Sequence, residues 1–443
     1  MTDRPGNQRK SFAPLPAAWP RGWGARGDWR MMVESLKRRC LDKLRLGVVI
    51  DQMVCVTLSL VRASCTLCLI FAVAIAQDSL VHHPHEFLHF GSPGAECADC
   101  DWTSVQDLGV HGRAIFPNFP ERENYYDRLP LAAKTHVRPA VWTLSTMPSG
   151  MYCEFTTSSP ILFVNVSYTS SQLSMYHFSA TGVSGLDLYA WDSNASAWRF
   201  TSVTTTIIYP VSVSEMQAAP HADGTPTLYR LHLPTYNGVL SLYVGHSHSY
   251  PVMPLNRTIG KPIVWYGTSI LQGAVASRPG MIFTSQISRT LGLEVFNFGF
   301  SGNGMMELNV STFLADVDAA MFIVDCVPNM PPELISQNTA PLVLFLRAKH
   351  PFTPIVLVGP PQYGADWIDS SLNDAKRAAL QAAFSQLIAD GVSNLHLILN
   401  ANDELYASSP LLSPTVEGVH PTDLGHFETA RFYLGFLKAH MNY

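Results

Sequence analysis

The stretch Pro262-Ile263-Val264-Trp265-Tyr266-Gly267-Thr268-Ser269 decides the fold. Its apolar run is short and continuous, which is typical of a strand buried on both faces of a sheet. The turn that follows this strand carries Ser269. A serine hydroxyl is a poor nucleophile until a histidine takes its proton, and the histidine needs an acid or a carbonyl that fixes its tautomer.

The chain has candidates for both partners near its C-terminus. In Glu417-Gly418-Val419-His420 an acid stands three residues before a histidine, and Pro421 follows. A serine in a turn is more often a helix cap than a nucleophile, so the case for Ser269 depends on these partners. Together the three side chains favour a serine hydrolase.

Residues 260–443 have the rhythm of an α/β domain, in which strand-like runs alternate with amphipathic stretches of helix length. The predicted strands are residues 263–266, 295–298, 320–325, 355–358 and 395–399, and the predicted helices lie near 280–291, 332–349, 374–390 and 423–440. This alternation predicts a parallel sheet with helices on both faces. Ligands in such sheets bind at the carboxyl ends of the strands.

Residues 105–255 have a different pattern. Short runs rich in Val, Ile, Thr, Tyr and Phe are separated by turn residues, and several alternate between apolar and polar side chains. The runs include residues 140–144, 152–156, 161–166, 186–190 and 239–244. Their spacing predicts an all-β, jelly-roll-like sandwich, which a linker rich in proline joins to the α/β domain.

The first 76 residues differ from both regions. Residues 1–46 are rich in Arg and Lys, and a mostly apolar segment follows at 54–76. Its dense apolar end closes on Ala74-Ile75-Ala76, which is typical of a secretory signal cleaved after Ala76. The uninterrupted run is shorter than the roughly 20 apolar residues that span a bilayer. A retained signal anchor stays an alternative, as does a translation start at Met53.

The composition of the chain limits the classes of binding partner that we expect. The chain has 443 residues, of which 47% are hydrophobic and 14% charged, so a sizeable core is available. The net charge is -5 and no basic stripe follows residue 80, which gives no support for a nucleic-acid partner. A membrane partner is expected only if the segment at residues 54–76 is retained.

Two features fit the secretory route. Sequons for N-glycosylation stand at Asn165, Asn194, Asn256 and Asn309. The run Cys97-Ala98-Asp99-Cys100 predicts a short disulfide; a zinc half-site is the alternative, although no second C-x-x-C follows it. Residues 77–104, with four histidines amid Pro and Gly, are interpreted as a linker rather than a metal site.

Two further blocks carry polar groups just after predicted strands. In Asn297-Phe298-Gly299-Phe300-Ser301-Gly302-Asn303-Gly304 three glycines let the backbone approach a ligand, and the Gly302 N–H could donate to an oxyanion. A tight turn is the structural alternative, and a phosphate loop is disfavoured because no Lys-Ser/Thr follows. Asn329, in Asp325-Cys326-Val327-Pro328-Asn329-Met330, offers a side-chain amide or is a turn residue.

In this order, the four blocks resemble the SGNH hydrolases, a branch of the GDSL lipase/esterase group. Ser269, Gly302, Asn329 and His420 match the four residues of the family's name. The resemblance implies a flavodoxin-like three-layer α/β/α domain and catalysis without cofactor or metal. It also implies that Ser269 attacks the acyl carbon, that His420 is general base and then acid, and that the Ser269 and Gly302 N–H groups and the Asn329 amide form the oxyanion hole.

The resemblance extends upstream to the β-rich module of one SGNH subgroup, which has a G-x-D-L-Y signature. Three motifs carry it: Tyr125-Tyr126-Asp127-Arg128-Leu129-Pro130, Val137-Arg138-Pro139-Ala140-Val141-Trp142 and Gly185-Leu186-Asp187-Leu188-Tyr189. Ser277-Arg278-Pro279-Gly280-Met281 also fits that subgroup. The match covers roughly residues 105–435.

The chain departs from the family pattern in three places. Gly-Thr-Ser replaces Gly-Asp-Ser at Ser269, Pro328 and Met330 flank Asn329, and Glu417 stands where the family has Asp. We expect Glu417 to serve as the acid, with Asp423 as its substitute.

The expected function is an esterase that removes acetyl or short acyl groups, with an O-acetylated carbohydrate as the first substrate and a short-chain lipid or thioester as the second. The alternative is a weak or inactive carbohydrate-binding protein on the same scaffold, and the glutamate at position 417 motivates it. In that case the β-rich region would bind the glycan.

Overall fold

The computed structural model describes residues 97, 99–255, 260–399 and 414–441. The predicted signal or anchor segment, Met53, the four linker histidines and Asn256 lie outside these residues. Among the helices of the described ranges, none is both long enough and apolar enough to cross a bilayer.

Residues 100–254 contain two antiparallel sheets. The first has the order β1 (Cys100–Ser104), β9 (Val239–Ser247), β4 (Leu162–Tyr168) and β7 (Val211–Met216). The second has the order β10 (Met253–Pro254), β3 (Tyr152–Thr157), β8 (Thr227–His232), β5 (Asp187–Asp192) and β6 (Ala197–Val203), with β2 (Val110–His111) paired to β3. One hydrophobic cluster takes side chains from both, including Val164 and Val244 from the first and Phe155 and Leu231 from the second.

Short helices interrupt these strands: α1 (Val105–Leu108), α2 (Pro139–Ser145), α3 (Ala180–Val183) and a 3-10 turn at Leu131–Thr135. The prediction of a strand at residues 140–144 is wrong, because they lie inside α2. Pro139 takes the first helical position, where its fixed φ favours a helix and its missing N–H leaves no bond unmade.

The cysteines of the described residues fall into two kinds. Cys97 and Cys100 form the disulfide expected from their spacing, just before and at the start of β1. The first sheet therefore begins at Cys100, five residues before residue 105, where the sandwich was expected to start. Cys153 and Cys326 are buried free thiols.

The C-terminal half contains a parallel sheet of strands β11 (Ile263–Gly267), β12 (Val295–Gly299), β13 (Met321–Asp325), β14 (Ile355–Val358) and β15 (Leu395–Ile398). Their order is β12-β11-β13-β14-β15, the arrangement of flavodoxin-like sheets. The described helices are α4 (Ser269–Gln272), α5 (Phe283–Leu291), α6 (Leu308–Leu314), α7 (Pro332–Lys349), α8 (Ser371–Ala389) and α9 (Asp423–His440), with 3-10 turns at Pro279–Met281 and Val327–Asn329. The prediction of an α/β domain with a parallel sheet is confirmed.

Strand β11 shows how this sheet is covered on both faces. Successive side chains of a strand point to opposite faces. Val264 and Tyr266 pack in the cluster that includes residues of α6, α7 and α8, whereas Ile263 and Trp265 pack in the cluster that includes residues of α5 and α9. Trp265 and Tyr266 are thus core residues.

Candidate active site

Ser269 lies at the junction between β11 and α4. The strand ends at Gly267, Thr268 is extended, and Ser269 is the first residue of the helix. The Ser269 side chain is largely buried, and its Oγ lies 2.8 Å from Nε2 of His420. This is hydrogen-bonding distance, so a proton can pass from the hydroxyl to the ring.

A tight turn at residues 415–421 presents the histidine and its acid together. The turn is closed by the Val416 N–H, which donates to the His420 carbonyl at 2.9 Å. Gly418 has φ +89°, a left-handed conformation that glycine adopts readily. Glu417 Oε1 accepts from the His420 N–H at 3.0 Å and also pairs with Nδ1 of the ring. The carboxylate therefore holds the imidazole with Nε2 toward Ser269.

Asp423 has another partner. Its carboxylate accepts from the Ser277 N–H at 2.8 Å and from the Ser277 hydroxyl at 2.5 Å. The structure thus places Glu417 against the His420 ring. Asp423, the first residue of α9, is instead bonded to Ser277 in the loop between α4 and α5. The extra methylene of glutamate is accommodated by the turn at Gly418.

The three expected oxyanion donors meet at the carboxyl edge of the sheet. The Ser269 N–H lies at the start of α4. Gly302 lies in the loop after β12 with φ +66°, and the space beside its Cα is open. The Ser301 N–H donates to Gln272 Oε1 of α4 at 3.0 Å, which fastens this loop to the helix of the serine.

Asn329 ends the 3-10 turn that follows β13. We orient its amide so that Oδ1 accepts from the N–H groups of Asn303 and Gly304, at 3.0 and 3.1 Å. The opposite orientation would point the NH2 group at those two donors and leave it long contacts of 3.4 and 3.3 Å to the Phe300 and Gly304 carbonyls. In the chosen orientation the NH2 group is free to donate to a substrate oxygen.

Residues 100–254, called the N-terminal half here, contribute side chains that the sequence analysis did not single out. The Tyr236 hydroxyl donates to the Ser269 carbonyl at 3.3 Å, and burial raises the pKa of Tyr236, so the hydroxyl stays protonated. The His177 ring lies 5.9 Å from the His420 ring, centre to centre. A tight turn closed by mutual bonds of Met175 and Phe178 (2.9 and 3.1 Å) presents it. A lone His or Tyr far from any motif gives no sequence signal.

A second histidine of the region, His426 in α9, is fully buried, and burial lowers its pKa to about 4. It is therefore neutral near pH 7 and adds no positive charge near His420. Within the described ranges, no group of three or more His, Cys, Asp or Glu side chains is arranged to hold a metal ion.

Comparisons with known proteins agree with this geometry. Residues 260–438 match the model of the GDSL-like lipase/acylhydrolase family. Residues 100–251 match the GxDLY model, described as the N-terminus of SGNH-hydrolase-type esterases. No curated protein matches the chain significantly.

The similarity to solved structures covers more than three quarters of this chain. A candidate GDSL-like lipase from Bacteroides ovatus is 30% identical, with a TM-score of 0.70 over 77% of this chain and 98% of that chain. A salicylyl-acyltransferase from a tetracycline biosynthetic pathway has a TM-score of 0.61 over 78% of this chain and 99% of that chain; at 16% identity it shows the fold alone. The resemblance seen in the sequence is thereby confirmed: the chain belongs to the GDSL-like lipase/acylhydrolase (SGNH hydrolase) family and is an ester-bond hydrolase.

Proposed function

We propose that the protein is a serine esterase that works through an acyl-enzyme. The observation that carries the proposal is the line of contacts from Ser269 Oγ to His420 Nε2 at 2.8 Å, and from His420 Nδ1 to Glu417. A nucleophile, a base and an orienting acid in hydrogen-bonding sequence are the signature of this chemistry.

In the proposed mechanism Ser269 Oγ attacks the ester carbonyl carbon while His420 Nε2 takes the hydroxyl proton. The N–H groups of Ser269 and Gly302 and the NH2 group of Asn329 donate to the resulting oxyanion. The C–O bond then breaks, and the alcohol leaves with the proton from His420. Water, deprotonated by the same ring, hydrolyses the acyl-Ser269 ester and frees the enzyme.

We propose an acetylated or short-acylated carbohydrate as the substrate. Tyr176, beside His177 at the site, is fully exposed, and its ring lies 4.4 Å from the His177 ring. Trp367 is 81% exposed in the loop whose Gly364 N–H donates to the Gly418 carbonyl at 2.7 Å. Exposed aromatic faces near a hydrolytic site suit the apolar faces of sugar rings. A short-chain lipid ester or a thioester is the second candidate.

The alternative of an inactive carbohydrate-binding protein was motivated by the glutamate at position 417. Glu417 nevertheless contacts the His420 ring in spite of its extra methylene, which favours the esterase.

We further propose the domain boundaries of the chain and its secretion. Residues 105–255 would form the β-sandwich module, supported by two sheets on one shared cluster, and residues 260–443 the hydrolase domain. Secretion is supported by the disulfide and by Asn194, which is exposed at the tip of the β5–β6 hairpin. N-terminal sequencing of the secreted protein should begin at Gln77; a start upstream of residue 54 would favour the anchor.

The test of the activity uses the full chain and p-nitrophenyl acetate. We expect turnover by the wild type and background rates for Ser269→Ala and His420→Ala. Ser193→Ala, which changes an exposed serine of the β5–β6 hairpin, is the matched control and should keep the wild-type rate. Equal turnover by the wild type and Ser269→Ala would refute the proposal.

A further inference from the structure

The loop at residues 300–305, called the oxyanion loop here, carries one of the three expected oxyanion donors. It carries Gly302, whose surroundings are open and whose φ is +66°. The direction of the Gly302 N–H is set by the backbone on either side of it. The Ser301 N–H bond to Gln272 Oε1 holds the residue just before Gly302, and contacts at Gly299 and Asn303 hold the backbone further out on each side.

Arg138, from the N-terminal half, binds the residue directly after Gly302. Its Nη1 donates to Asn303 Oδ1 at 2.7 Å and its Nη2 donates to the Asn303 carbonyl at 2.9 Å. The same guanidinium is held by Glu307 through bonds of 2.6 and 3.1 Å. A planar fork can bridge these groups together, which the single ammonium of a lysine cannot do.

Arg128 binds the strand end before the loop. Its Nη1 donates to the carbonyls of Asn297 and Gly299 at 2.8 and 2.7 Å. Its other nitrogens donate to the Met147 and Leu144 carbonyls, both at 2.7 Å. Burial lowers the pKa of Arg128 to about 9, which still leaves it protonated at neutral pH. The buried charge thus ties the end of β12 to the N-terminal half by carbonyl contacts.

The geometry points to a role for these two arginines: we propose that Arg138 and Arg128 are positioning residues that hold the oxyanion loop from its two ends. They act through Asn303 and Gly299 and do not touch the substrate. The N-terminal half would then complete the hydrolytic site as well as pack against it. The inference rests on the proposed function, since it takes the Gly302 N–H as an oxyanion donor.

The consequence is a loss confined to the transition state. An oxyanion donor stabilises charge that is absent from the bound ester, and a displacement of about 1 Å in a reacting geometry can reduce the rate about 100-fold. Loosening the loop should therefore lower kcat and leave KM nearly unchanged.

The test uses Arg138, because its side chain is 40% exposed, whereas Arg128 is fully buried. We expect Arg138→Ala to lower kcat about tenfold per active site titrated with a fluorophosphonate, and Arg138→Lys to fall between that variant and the wild type. The inhibition constant of a boronic acid, which forms a tetrahedral adduct with Ser269, should rise by the same factor. A purely structural arginine would change the titratable fraction or Tm, but neither of these two quantities.

Arg199→Ala is the matched control, since Arg199 makes an exposed ion pair with Asp192 at 3.2 Å across the β5–β6 hairpin. A double-mutant cycle of Arg138→Ala with Asn303→Ala should be non-additive, because both changes remove the bond from Arg138 Nη1 to Asn303 Oδ1. Arg128→Lys tests the other end of the loop, and it should also lower kcat per titrated site and raise the boronate inhibition constant.

The outcomes separate the two claims. If Ser269→Ala keeps the wild-type rate, the proposed function itself fails. If Ser269→Ala is inactive while Arg138→Ala and Arg138→Lys keep the wild-type kcat per titrated site and the same boronate inhibition constant, the function stands and this inference is overturned.

Discussion

At the scale of single residues, the chain shows how glutamate can take the place of aspartate beside the histidine. Glu417 and His420 belong to one short turn, and Gly418 at φ +89° bends the backbone between them. Because the same carboxylate oxygen accepts from the His420 N–H at 3.0 Å, the turn and the ring orientation are fixed together. The sequence supplied the residue types and their spacing, but it left Asp423 open as a substitute.

Glu417→Gln tests the carboxylate without changing its length. We expect kcat to fall at least about 100-fold, since an amide neither fixes the ring tautomer as the carboxylate does nor stabilises the imidazolium. Glu417→Asp should keep more activity but stay below the wild type, because the turn is built for the longer side chain. Stopped assays with p-nitrophenyl acetate measure both, and a wild-type kcat for Glu417→Gln would contradict this role.

Gly302→Ala tests the left-handed turn of the oxyanion loop. No neighbouring atom blocks a methyl group there, so the variant should fold. The positive φ should destabilise it by about 1–2 kcal/mol, and relaxation of the backbone should turn the N–H and lower kcat with little change in KM. Thermal unfolding and steady-state kinetics measure the two effects, and unchanged kcat would remove the Gly302 N–H from the oxyanion hole.

At the scale of elements, periodicity located the five strands of the parallel sheet and the helices α5, α7, α8 and α9. It missed α6, because Asn309, Val310, Ser311 and Thr312 are all poor helix formers. The helix is held instead by tertiary packing, since Val310, Phe313 and Leu314 are buried. The strand predicted at residues 140–144 is also wrong: their β-branched and aromatic side chains favour a strand, whereas Pro139 favours the start of a helix.

Asp423 belongs to this scale, because it joins the start of α9 to the loop between α4 and α5. Asp423→Asn replaces one of the two carboxylate oxygens that accept from the Ser277 N–H and hydroxyl with an NH2 group, which cannot accept. We expect Tm to fall by a few degrees while kcat per titrated site changes less than about threefold, since Glu417 orients the ring. A loss of kcat as large as that of Glu417→Gln would instead make Asp423 the working acid.

At the scale of the whole molecule, the described residues belong to one compact unit. The three upstream motifs contain Arg128, Arg138 and Asp187, and each of these side chains contacts the C-terminal half. Asp187 accepts from the Gly280 N–H at 2.9 Å and pairs with Arg278 at 3.1 Å. The sequence showed that the motifs were distinctive, but contacts between residues about 90 or more positions apart cannot be read from local periodicity.

Asp187 gives this junction a pH dependence. Burial raises its pKa to about 6, against the opposing pull of Arg278, whereas an unfolded aspartate has a pKa of about 3.9. The folded chain binds this proton more tightly, so this group's contribution to the free energy of unfolding falls as pH rises from about 4 to about 6 and is constant above. Asp187→Asn removes that contribution.

We therefore expect the Tm of Asp187→Asn minus that of the wild type to increase between about pH 4 and about pH 6 and then to level off. Asp192→Asn, at an exposed hairpin, is the matched control. A difference in Tm that does not change with pH would mean that Asp187 is ionised across the whole range.

The most direct test of the acyl-enzyme is mass spectrometry of the chain quenched during turnover of p-nitrophenyl acetate. We predict an acetyl group on the peptide that carries Ser269 in the wild type, and none on that peptide in Ser269→Ala. Steady hydrolysis with Ser269 unmodified at every time point, and the same rate in Ser269→Ala, would contradict the account.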